Sequence, residues 1–302
     1  MMMTESQEAL QARLHNAKNI DGHTGLLALI GTPIGHSGSP AMYNYCFDRL
    51  GLNYCYLCLE TQKEDTGRAI EALRMFGVRG FNVTMPCKTE AVQYMDELSR
   101  CARLIGATNT VVNENGKLVG HNTDGFGWVR ACREQGVDVT GKRMTICGSG
   151  GAATSIEVSA ALSGMAEIDI FARKDSFYEN AEKTVEKISA NVPECRITLH
   201  DLSDEDALHA SIMESDIFTN ATKVGMKPMD GQSVLKDLTV LRPDLAVSDV
   251  VYNPRETKLL HDAKGAGCRV LPGMGMLLWQ GAEAFHLYTG LDMPTDEVAQ
   301  FL

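Results

Sequence analysis

Short apolar runs alternate with amphipathic stretches along the chain from residue 26 onward. Short apolar runs bounded by turn residues are typical of buried strands, and an apolar period of 3.6 residues is typical of helices. Regular alternation of the two is typical of α/β proteins. The pattern predicts strands at residues 26–30, 54–59, 77–84, 107–113, 118–120, 143–147, 167–171, 196–199, 216–220, 246–250 and 268–271. It predicts helices at residues 41–50, 66–76, 126–135 and 276–288, the last of which returns to the first half of the chain.

The turn Glu114-Asn115-Gly116 lies between two of the predicted strands. Asparagine and glycine tolerate the positive φ angles that a two-residue hairpin turn requires. The sequence therefore predicts a β-hairpin at residues 107–120.

A glycine-rich turn, Cys147-Gly148-Ser149-Gly150-Gly151-Ala152-Ala153, follows a predicted strand and opens an apolar helix. This is the Gly-x-Gly-x-x-Ala arrangement of dinucleotide-binding folds, in which the first glycine permits the tight turn and the second lets backbone approach the pyrophosphate. The amides at the start of the helix then favour the phosphates. A glycine triplet also occurs in ordinary turns, but its position between strand and helix favours a nucleotide site.

The next predicted strand runs into Ala172-Arg173-Lys174-Asp175. Selection of NADP requires positive donors for the 2′-phosphate, whereas selection of NAD commonly uses a carboxylate on the ribose hydroxyls. This loop offers both, since Arg173 and Lys174 attract phosphate while Asp175 repels it. We expect NAD to be preferred or used at near parity with NADP; three solvated surface charges are the alternative interpretation.

Length and charge narrow the class of protein. The chain has 302 residues, more than one hydrophobic core usually serves, so two domains are expected. Its net charge of -11 argues against a nucleic-acid partner, because phosphate binding requires clustered Lys and Arg. Residues 1–23 lack the apolar run of a signal peptide, and no segment has the roughly 18 apolar residues of a membrane span. A cytoplasmic enzyme is predicted, with a short amphipathic helix at residues 9–17.

The nine cysteines include one Cys-x-x-Cys spacing, Cys55 and Cys58, within a strand-like run. Residues three apart on a strand point to opposite faces, so these two thiols are not expected to meet. A second pair that would complete a zinc site is missing from the sequence. Structural thiols are predicted, and no metal site.

Polar residues lie in turns at the ends of the first predicted strands: Ser37, Ser39, Asn82, Thr84, Lys88, Asn109 and Asp124. Ligands of α/β sheets bind at such strand ends. Each residue has a structural alternative, since Ser39 before Pro40 suits a helix start, Lys88 suits a surface, and Asp124 suits a helix N-cap. Spacing alone does not decide between the two interpretations.

A set of ordered motifs resembles the shikimate dehydrogenase family, and within it the quinate/shikimate dehydrogenase branch, from about residue 29 to about residue 291. The motifs are Pro33-Ile34-Gly35-His36-Ser37-Gly38-Ser39-Pro40, Asn82-Val83-Thr84-Met85-Pro86-Cys87-Lys88, Gly106-Ala107-Thr108-Asn109-Thr110, Gly120-His121-Asn122-Thr123-Asp124-Gly125, Asn220-Ala221-Thr222, Val251-Tyr252-Asn253-Pro254, Gly273-Met274-Gly275-Met276-Leu277 and Trp279-Gln280-Gly281-Ala282-Glu283. The resemblance implies an N-terminal α/β substrate domain, a Rossmann-like dinucleotide domain and a cleft between them. It places the substrate domain at residues 1–123, joined by C-terminal helices at 276–302, and the NAD(P) domain at residues 124–275.

The resemblance also implies roles for individual residues. Lys88 and Asp124 form the catalytic pair, Ser37 and Ser39 hold the substrate carboxylate with Thr84 nearby, and Asn109, Asp124 and Gln280 hold the ring hydroxyls. Tyr252 faces the cleft. The implied cofactor-binding residues are Gly148, Ser149, Gly150, Gly151, Ala152, Arg173, Lys174, Asp175, Thr222, Val250 and Gly273.

The implied reaction is reversible oxidation of shikimate to 3-dehydroshikimate, and of quinate to 3-dehydroquinate, with NAD(P)⁺. Two proton routes are compatible with the pair: Lys88 accepts the proton itself, or stays cationic while Asp124 or water passes the proton on. The chain departs from the family pattern in two places. Members that prefer NADP tend to have Asn-Arg-Thr where this chain has Ala172-Arg173-Lys174. At the position of Gly38, family members usually have a bulkier residue. The alternatives are a dehydrogenase of a related acid, such as an aminoshikimate, and a non-catalytic dinucleotide-binding regulator. A monomer or a homodimer is expected.

Overall fold

The computed structural model describes residues 20–175 and 178–302, and these form an α/β protein built on two six-stranded sheets. The helix predicted at residues 9–17 lies outside the described residues. In the described part of the chain, no helix is both long enough and apolar enough to cross a membrane.

The first sheet is mixed and has the strand order β2-β1-β3-β5-β6-β4. Its strands are β1 (Gly25–Gly31), β2 (Tyr54–Glu60), β3 (Gly80–Val83), β4 (Glu97–Leu98), β5 (Thr110–Glu114) and β6 (Lys117–His121). The first three strands are parallel, and β5 is antiparallel to both β3 and β6. The helices between these strands are α1 (Ser39–Arg49), α2 (Thr66–Met75) and α3 (Arg100–Ile105), with short 3-10 helices at Lys63–Asp65 and Glu90–Tyr94.

Strand β1 is apolar along its whole length because both of its faces are buried. Leu27 and Leu29 pack into one cluster with helix α1, whereas Ala28 and Ile30 pack into another with helix α2. Successive side chains of a strand point to opposite faces, so a strand covered on both faces is apolar at every position. The hairpin β5–β6 turns at Asn115 and Gly116, whose φ angles are 56° and 94°, and this prediction is confirmed.

The second sheet has the strand order β12-β11-β10-β7-β8-β9, and all its neighbouring strands are parallel. Its strands are β7 (Arg143–Cys147), β8 (Glu167–Ala172), β9 (Arg196–Asp201), β10 (Ile217–Asn220), β11 (Ala246–Asp249) and β12 (Arg269–Pro272). Counted from β7, this is the 3-2-1-4-5-6 order of dinucleotide-binding folds, in which the ligand crosses the crevice where the order reverses. That crevice lies between β7 and β10. The predicted fold class is confirmed.

The remaining helices cover the second sheet and join it to the first. They are α4 (Asp124–Glu134), α5 (Gly151–Leu162), α6 (Tyr178–Asn191), α7 (Glu205–Glu214), α8 (Lys258–Gly265), α9 (Gly273–Thr289) and α10 (Thr295–Val298), with a 3-10 helix at Leu238–Val240. Helix α9 returns to the first sheet, where the Tyr43 hydroxyl donates to the Gly281 carbonyl at 3.2 Å and Arg79 Nε donates to the Tyr288 carbonyl at 2.7 Å.

Three helices begin earlier than the apolar pattern predicts, and the first of them, α1, begins at Ser39 and not at Ala41. Helix α4 begins at Asp124 and not at Phe126, because a carboxylate is favourable at the positive end of a helix. The pattern places the start too late because Gly125 has no apolar side chain to extend the helical period. Helix α9 begins at Gly273 and not at Met276, directly after Pro272. The division into domains at residues 123 and 124 stays a prediction, and its second boundary, at 275 and 276, falls inside helix α9.

Candidate active site

The polar residues predicted at strand ends lie along one edge of the first sheet. Strand β3 ends at Val83, and Thr84 and Lys88 follow it in the chain. Strand β5 runs antiparallel to β3 and pairs its first residue with Asn82, so Asn109 lies at the same edge. Strand β6 pairs its last residue with the start of β5, which brings the chain to Asp124. Topology therefore gathers residues that are far apart in sequence.

Lys88 and Asp124 form an ion pair at this edge. The Lys88 Nζ atom lies 2.6 Å from Asp124 Oδ2, and the two side chains are 24% and 17% exposed. A pair with this partial burial is shielded from most solvent while both groups stay reachable for a ligand. The N-cap interpretation of Asp124 was wrong, since Asp124 is the first residue of helix α4 and the N-cap residue is Thr123.

Asn109 holds the second oxygen of the Asp124 carboxylate. Its Nδ2 group donates to Asp124 Oδ1 at 2.8 Å, while its Oδ1 accepts the Thr123 backbone N–H at 2.9 Å and the Thr110 hydroxyl at 3.0 Å. Because a backbone N–H can only donate, the orientation of the Asn109 carboxamide is fixed. Asn109 is 3% exposed, so it forms a rigid support beneath the ion pair.

A buried series of hydrogen bonds from Tyr56 through Asn82 supports Asn109. The Tyr56 hydroxyl donates to Asn82 Oδ1 at 2.7 Å, and Asn82 Nδ2 donates to the Asn109 carbonyl and to Thr110 Oγ1, both at 3.1 Å. Burial raises the pKa of Tyr56 well above its usual value, and a hydrogen bond with Ser39 opposes this. Sequence reasoning did not assign supporting roles to Tyr56 or Thr123. Tyr56 lies within a strand and Thr123 directly before a helix, and neither position indicates a hydrogen bond to the site.

The serine pair lies on the loop that follows β1. Helix α1 begins at Ser39, whose backbone N–H donates to Ser37 Oγ at 3.2 Å, and both serines are half-buried. Ser37 is hydrogen-bonded to Cys58, a thiol whose pKa is raised by burial. Two hydroxyls beside the positive end of an 11-residue helix suit a carboxylate ligand. Cys55 and Cys58 are free thiols.

Gln280 and Asp124 belong to helices in close contact. A Cβ atom at Gly127, one turn after Asp124, would lie 2.5 Å from the Gln280 backbone nitrogen. Gly125 packs equally closely on helix α5, where a Cβ atom would lie 1.9 Å from the Ser155 carbonyl oxygen. The start of helix α4 is thus wedged between the helix that carries Gln280 and the helix that follows the glycine-rich turn. Tyr252, 48% exposed, lies on the loop after β11.

The glycine-rich turn fits the pyrophosphate of a dinucleotide. Gly148 has φ of +132°, and a Cβ atom there would lie 2.7 Å from the Ala221 carbonyl oxygen across the crevice. By contrast, Cβ atoms at Gly150 and Gly151 would meet no heavy atom within 4 Å, so the space beside the start of helix α5 is open. Ser149 and Ala152 are half-buried on either side. The turn is a cradle that leaves room for a group of phosphate size beside the backbone amides at the start of helix α5.

The other predicted cofactor residues lie on both sides of this cradle. Arg173, Lys174 and Asp175 follow β8 and are exposed, and Lys174 Nζ lies 3.2 Å from Asp201 Oδ2 at the end of β9. Thr222, Val250 and Gly273 belong to the opposite half, after β10, β11 and β12. A Cβ atom at Gly273 would lie 2.5 Å from the Val250 carbonyl oxygen, so the glycine permits this close contact.

The sequence matches two family models, and it matches a curated relative over most of its length. Residues 29–111 match the model of the shikimate dehydrogenase substrate binding domain, and residues 273–300 match that of the shikimate 5′-dehydrogenase C-terminal domain. A curated relative, shikimate dehydrogenase (NADP(+)) of Listeria monocytogenes serotype 4b (strain F2365), is 52% identical over 285 residues, covering 94% of this chain and 98% of the relative. The chain belongs to the shikimate dehydrogenase family. The predicted resemblance is therefore confirmed.

Two solved structures show the same architecture as this member of the shikimate dehydrogenase family. The shikimate 5-dehydrogenase of Listeria monocytogenes in complex with shikimate and NAD has 52% identity and a TM-score of 0.92, covering 94% of this chain and 98% of that chain. The quinate dehydrogenase of Corynebacterium glutamicum in complex with NAD has 29% identity and a TM-score of 0.82, covering 92% and 98%. A nicotinamide dinucleotide is therefore the cofactor of this fold. Among residues 20–175 and 178–302, no group of three or more His, Cys, Asp or Glu side chains is placed to hold a metal ion.

Proposed function

We propose that this protein reversibly oxidises shikimate to 3-dehydroshikimate with a nicotinamide dinucleotide. The observation that carries the proposal is the Lys88–Asp124 pair, fixed by Asn109 at the sheet edge that adjoins the start of helix α5. Two of the relatives named above act on or bind shikimate by their names, and each is 52% identical over nearly the whole chain.

The proposed chemistry divides the reaction between cofactor and protein. When bound, the nicotinamide supplies the hydride acceptor for the carbinol carbon. The proton of the carbinol oxygen passes either to Lys88 as a free amine, or to Asp124 or water while the Lys88 ammonium stabilises the developing alkoxide. Asn109 and Gln280 orient the ring hydroxyls. Ser37, Ser39 and Thr84 bind the carboxylate, and Tyr252 lines the cleft.

We propose NAD as the preferred cofactor or one used at near parity with NADP. In support, the Lys174 ammonium is already paired with Asp201 and so attracts a 2′-phosphate less strongly, while Asp175 adds a second carboxylate to the loop. The names of the relatives point both ways, since one specifies NADP(+) and the solved Listeria structure holds NAD. In this proposal the pyrophosphate is held by the glycine-rich turn, through Gly148, Ser149, Gly150, Gly151 and Ala152. The rest of the dinucleotide is bound by Arg173, Thr222, Val250 and Gly273.

Quinate is the second proposed substrate. It carries one hydroxyl more than shikimate, and the similarity to a quinate dehydrogenase supports a site that accepts both acids. We further propose that residues 1–123 with the C-terminal helices bind the acid, that residues 124–275 bind the dinucleotide, and that the enzyme is cytoplasmic and a monomer or homodimer.

Initial rates with shikimate and with quinate, each paired with NAD⁺ and with NADP⁺, test the proposal. Turnover of both acids, chiefly with NAD⁺, is the expected result. Turnover of shikimate with NADP⁺ alone would keep the proposed reaction and refute the cofactor preference. Cofactor binding without turnover of any cyclic hydroxy acid would favour a regulator, and turnover of an aminoshikimate alone would favour the related dehydrogenase.

A further inference from the structure

Asp249, at the end of strand β11, is a buried carboxylate that the proposed reaction does not use. It is 1% exposed, and its three hydrogen-bond donors are all uncharged. Asn220 Nδ2 and the Val251 backbone N–H donate to Oδ1, both at 3.0 Å, and the Thr257 hydroxyl donates to Oδ2 at 2.7 Å. Burial raises the pKa of this carboxyl to about 6, and the three hydrogen bonds oppose that rise. Burying a carboxylate costs more free energy than burying a neutral side chain, and the three donors offset part of that cost.

On one side Asp249 fixes the loop after β10. Asn220 also donates from Nδ2 to the Val224 carbonyl at 3.0 Å, and its Oδ1 accepts the Thr222 backbone N–H at 3.1 Å and the Thr222 hydroxyl at 2.7 Å. The two backbone partners fix which end of the carboxamide faces Asp249. The position of Thr222 therefore depends on Asn220, and the position of the Asn220 side chain depends on Asp249.

On the other side Asp249 fixes the loop after β11. Its bond from the Val251 N–H turns the chain immediately after Val250, and Tyr252 follows. The Val250 carbonyl oxygen lies where a Cβ atom at Gly273 would come within 2.5 Å, so this loop has little freedom to shift. Asn220 and Asp249 are directly paired across β10 and β11, which lets one carboxylate serve both loops.

These two loops lie in the half of the crevice opposite Arg173 and Asp175. In a dinucleotide fold the two mononucleotide units bind to the two halves of the sheet, on either side of the point where the strand order reverses. The half formed by β10, β11 and β12 thus receives the nicotinamide unit when the loop after β8 receives the adenosine ribose.

We propose that Asp249 is a positioning residue for the nicotinamide unit, acting by holding the Thr222 loop and the Val250–Tyr252 loop in register across strands β10 and β11. This inference rests on the proposed dinucleotide-dependent function. It concerns one end of the cofactor, and of the residues proposed for the cleft that holds the acid only Tyr252 lies on these two loops.

The test compares Asp249→Ala with Asp169→Ala. Asp169 is a matched control, because it is a buried aspartate of the same sheet, 3% exposed, whose partners Arg143 and Ser211 are not part of the two loops. At about pH 8, above the pKa of Asp249, Asp249→Ala is expected to raise the KM for NAD⁺ roughly tenfold, with the KM for shikimate within about twofold of the parent value. Asp169→Ala is expected to lower Tm without changing either KM.

Two further variants keep the test decisive. Asp249→Asn keeps the size and one acceptor oxygen of the side chain, and the Thr257 hydroxyl can rotate to accept from its amide, so most of the NAD⁺ affinity should return. If Asp249→Ala does not fold, Thr257→Val removes one donor to Asp249 and the N-cap acceptor of the Leu260 N–H with little change in volume, and it should raise the KM for NAD⁺ by about threefold.

An unchanged KM for NAD⁺ in folded Asp249→Ala, or in Thr257→Val where the former does not fold, would overturn the inference. An equal rise in the KM for shikimate would also overturn it, because that result indicates general loosening of the protein. Calorimetric titration of the parent protein with NAD⁺ and NADP⁺ separates these outcomes from failure of the proposed function, in which the parent itself binds neither cofactor.

Discussion

Asn109 and Asp124 are joined by a hydrogen bond of 2.8 Å from Nδ2 to Oδ1, and this bond leaves the other carboxylate oxygen to Lys88. The carboxylate is therefore held by an uncharged group on one side and by a cation on the other. Removing either partner is expected to change a different property of the site, since Asn109 orients the carboxylate whereas Lys88 carries the positive charge and is the residue proposed for proton transfer.

Lys88→Ala is expected to lower kcat by roughly 10²- to 10⁴-fold, the usual range for a positioned proton-transfer group. The KM for the acid should change much less, because the serine hydroxyls and Asn109 remain. Steady-state kinetics with shikimate measure both constants, and thermal melting of the variant checks that it folds. A kcat close to that of the parent protein would remove Lys88 from the chemistry.

Ser37→Ala and Ser39→Ala are expected to raise the KM for shikimate more than they lower kcat. A hydrogen bond to a charged group contributes about 1.5–3 kcal/mol, so each variant should lose between roughly tenfold and a hundredfold in affinity. Ser39→Ala also removes the bond to Tyr56, and Ser37→Ala also removes the acceptor of the Ser39 backbone N–H, so thermal melts of both variants check that the loop is kept. A selective fall in kcat would contradict carboxylate binding.

Asn82→Ala is expected to destabilise the protein by about 1–3 kcal/mol, because it leaves the buried Tyr56 hydroxyl without its acceptor and the Asn109 carbonyl without its donor. The kcat should fall as well, since Asn109 loses its support. Tyr56→Phe removes one hydroxyl only and serves as the milder comparison in thermal melts. Parent-like melting and kcat for Asn82→Ala would show that this series of hydrogen bonds does not stabilise the site.

Asp175→Asn is expected to raise the ratio of kcat/KM for NADP⁺ to that for NAD⁺ about tenfold, because it removes a like charge from the neighbourhood of the 2′-phosphate. Asp201→Asn should shift the same ratio in the same direction but less, since it only frees Lys174 from its ion pair. If neither variant changes the ratio, the loop after β8 does not select the cofactor.

Glu157→Gln is expected to stabilise the protein increasingly as pH rises. Glu157 is fully buried on helix α5, neither carboxylate oxygen has a hydrogen-bond partner within the described residues, and burial raises its pKa to about 8 from 4.5. The folded state therefore binds the proton more tightly than the unfolded state, and stability from this group is present below about pH 4.5 and lost as pH rises to about 8. The glutamine variant lacks this loss.

Melting curves of the two proteins between about pH 5 and about pH 9 measure the effect, and the difference should reach a few kcal/mol at the upper end. Equal slopes of Tm against pH for parent and variant would show that Glu157 does not ionise inside the folded protein.

The apolar pattern predicts eleven of the twelve strands in the described residues, because a strand covered on two faces is apolar throughout, as β1 is. It misses β4, which has only two residues. It was not sufficient for the contacts of the site. Lys88 and Asp124 are 36 residues apart, and Tyr56 and Asn82 are 26 apart, so only strand order brings them together. The family motifs supplied the first pairing. The contact between Tyr56 and Asn82 has no local pattern in the sequence, and neither has the bond between Thr257 and Asp249. A buried tyrosine or aspartate cannot be told from other core residues in the sequence until its partner is known.

Gly125 and Gly127 contribute no side-chain atom to the site, yet they set its tolerance to mutation. At Gly125 a single methyl group would come within 1.9 Å of the Ser155 carbonyl oxygen, and at Gly127 within 2.5 Å of the Gln280 nitrogen. Any substitution there must push helix α4 away from one neighbour, and Asp124 moves with its helix. Mutational scanning that ranks positions by distance from the proposed substrate would overlook both glycines, although their lack of a side chain sets how far the Asp124 carboxylate lies from helices α5 and α9.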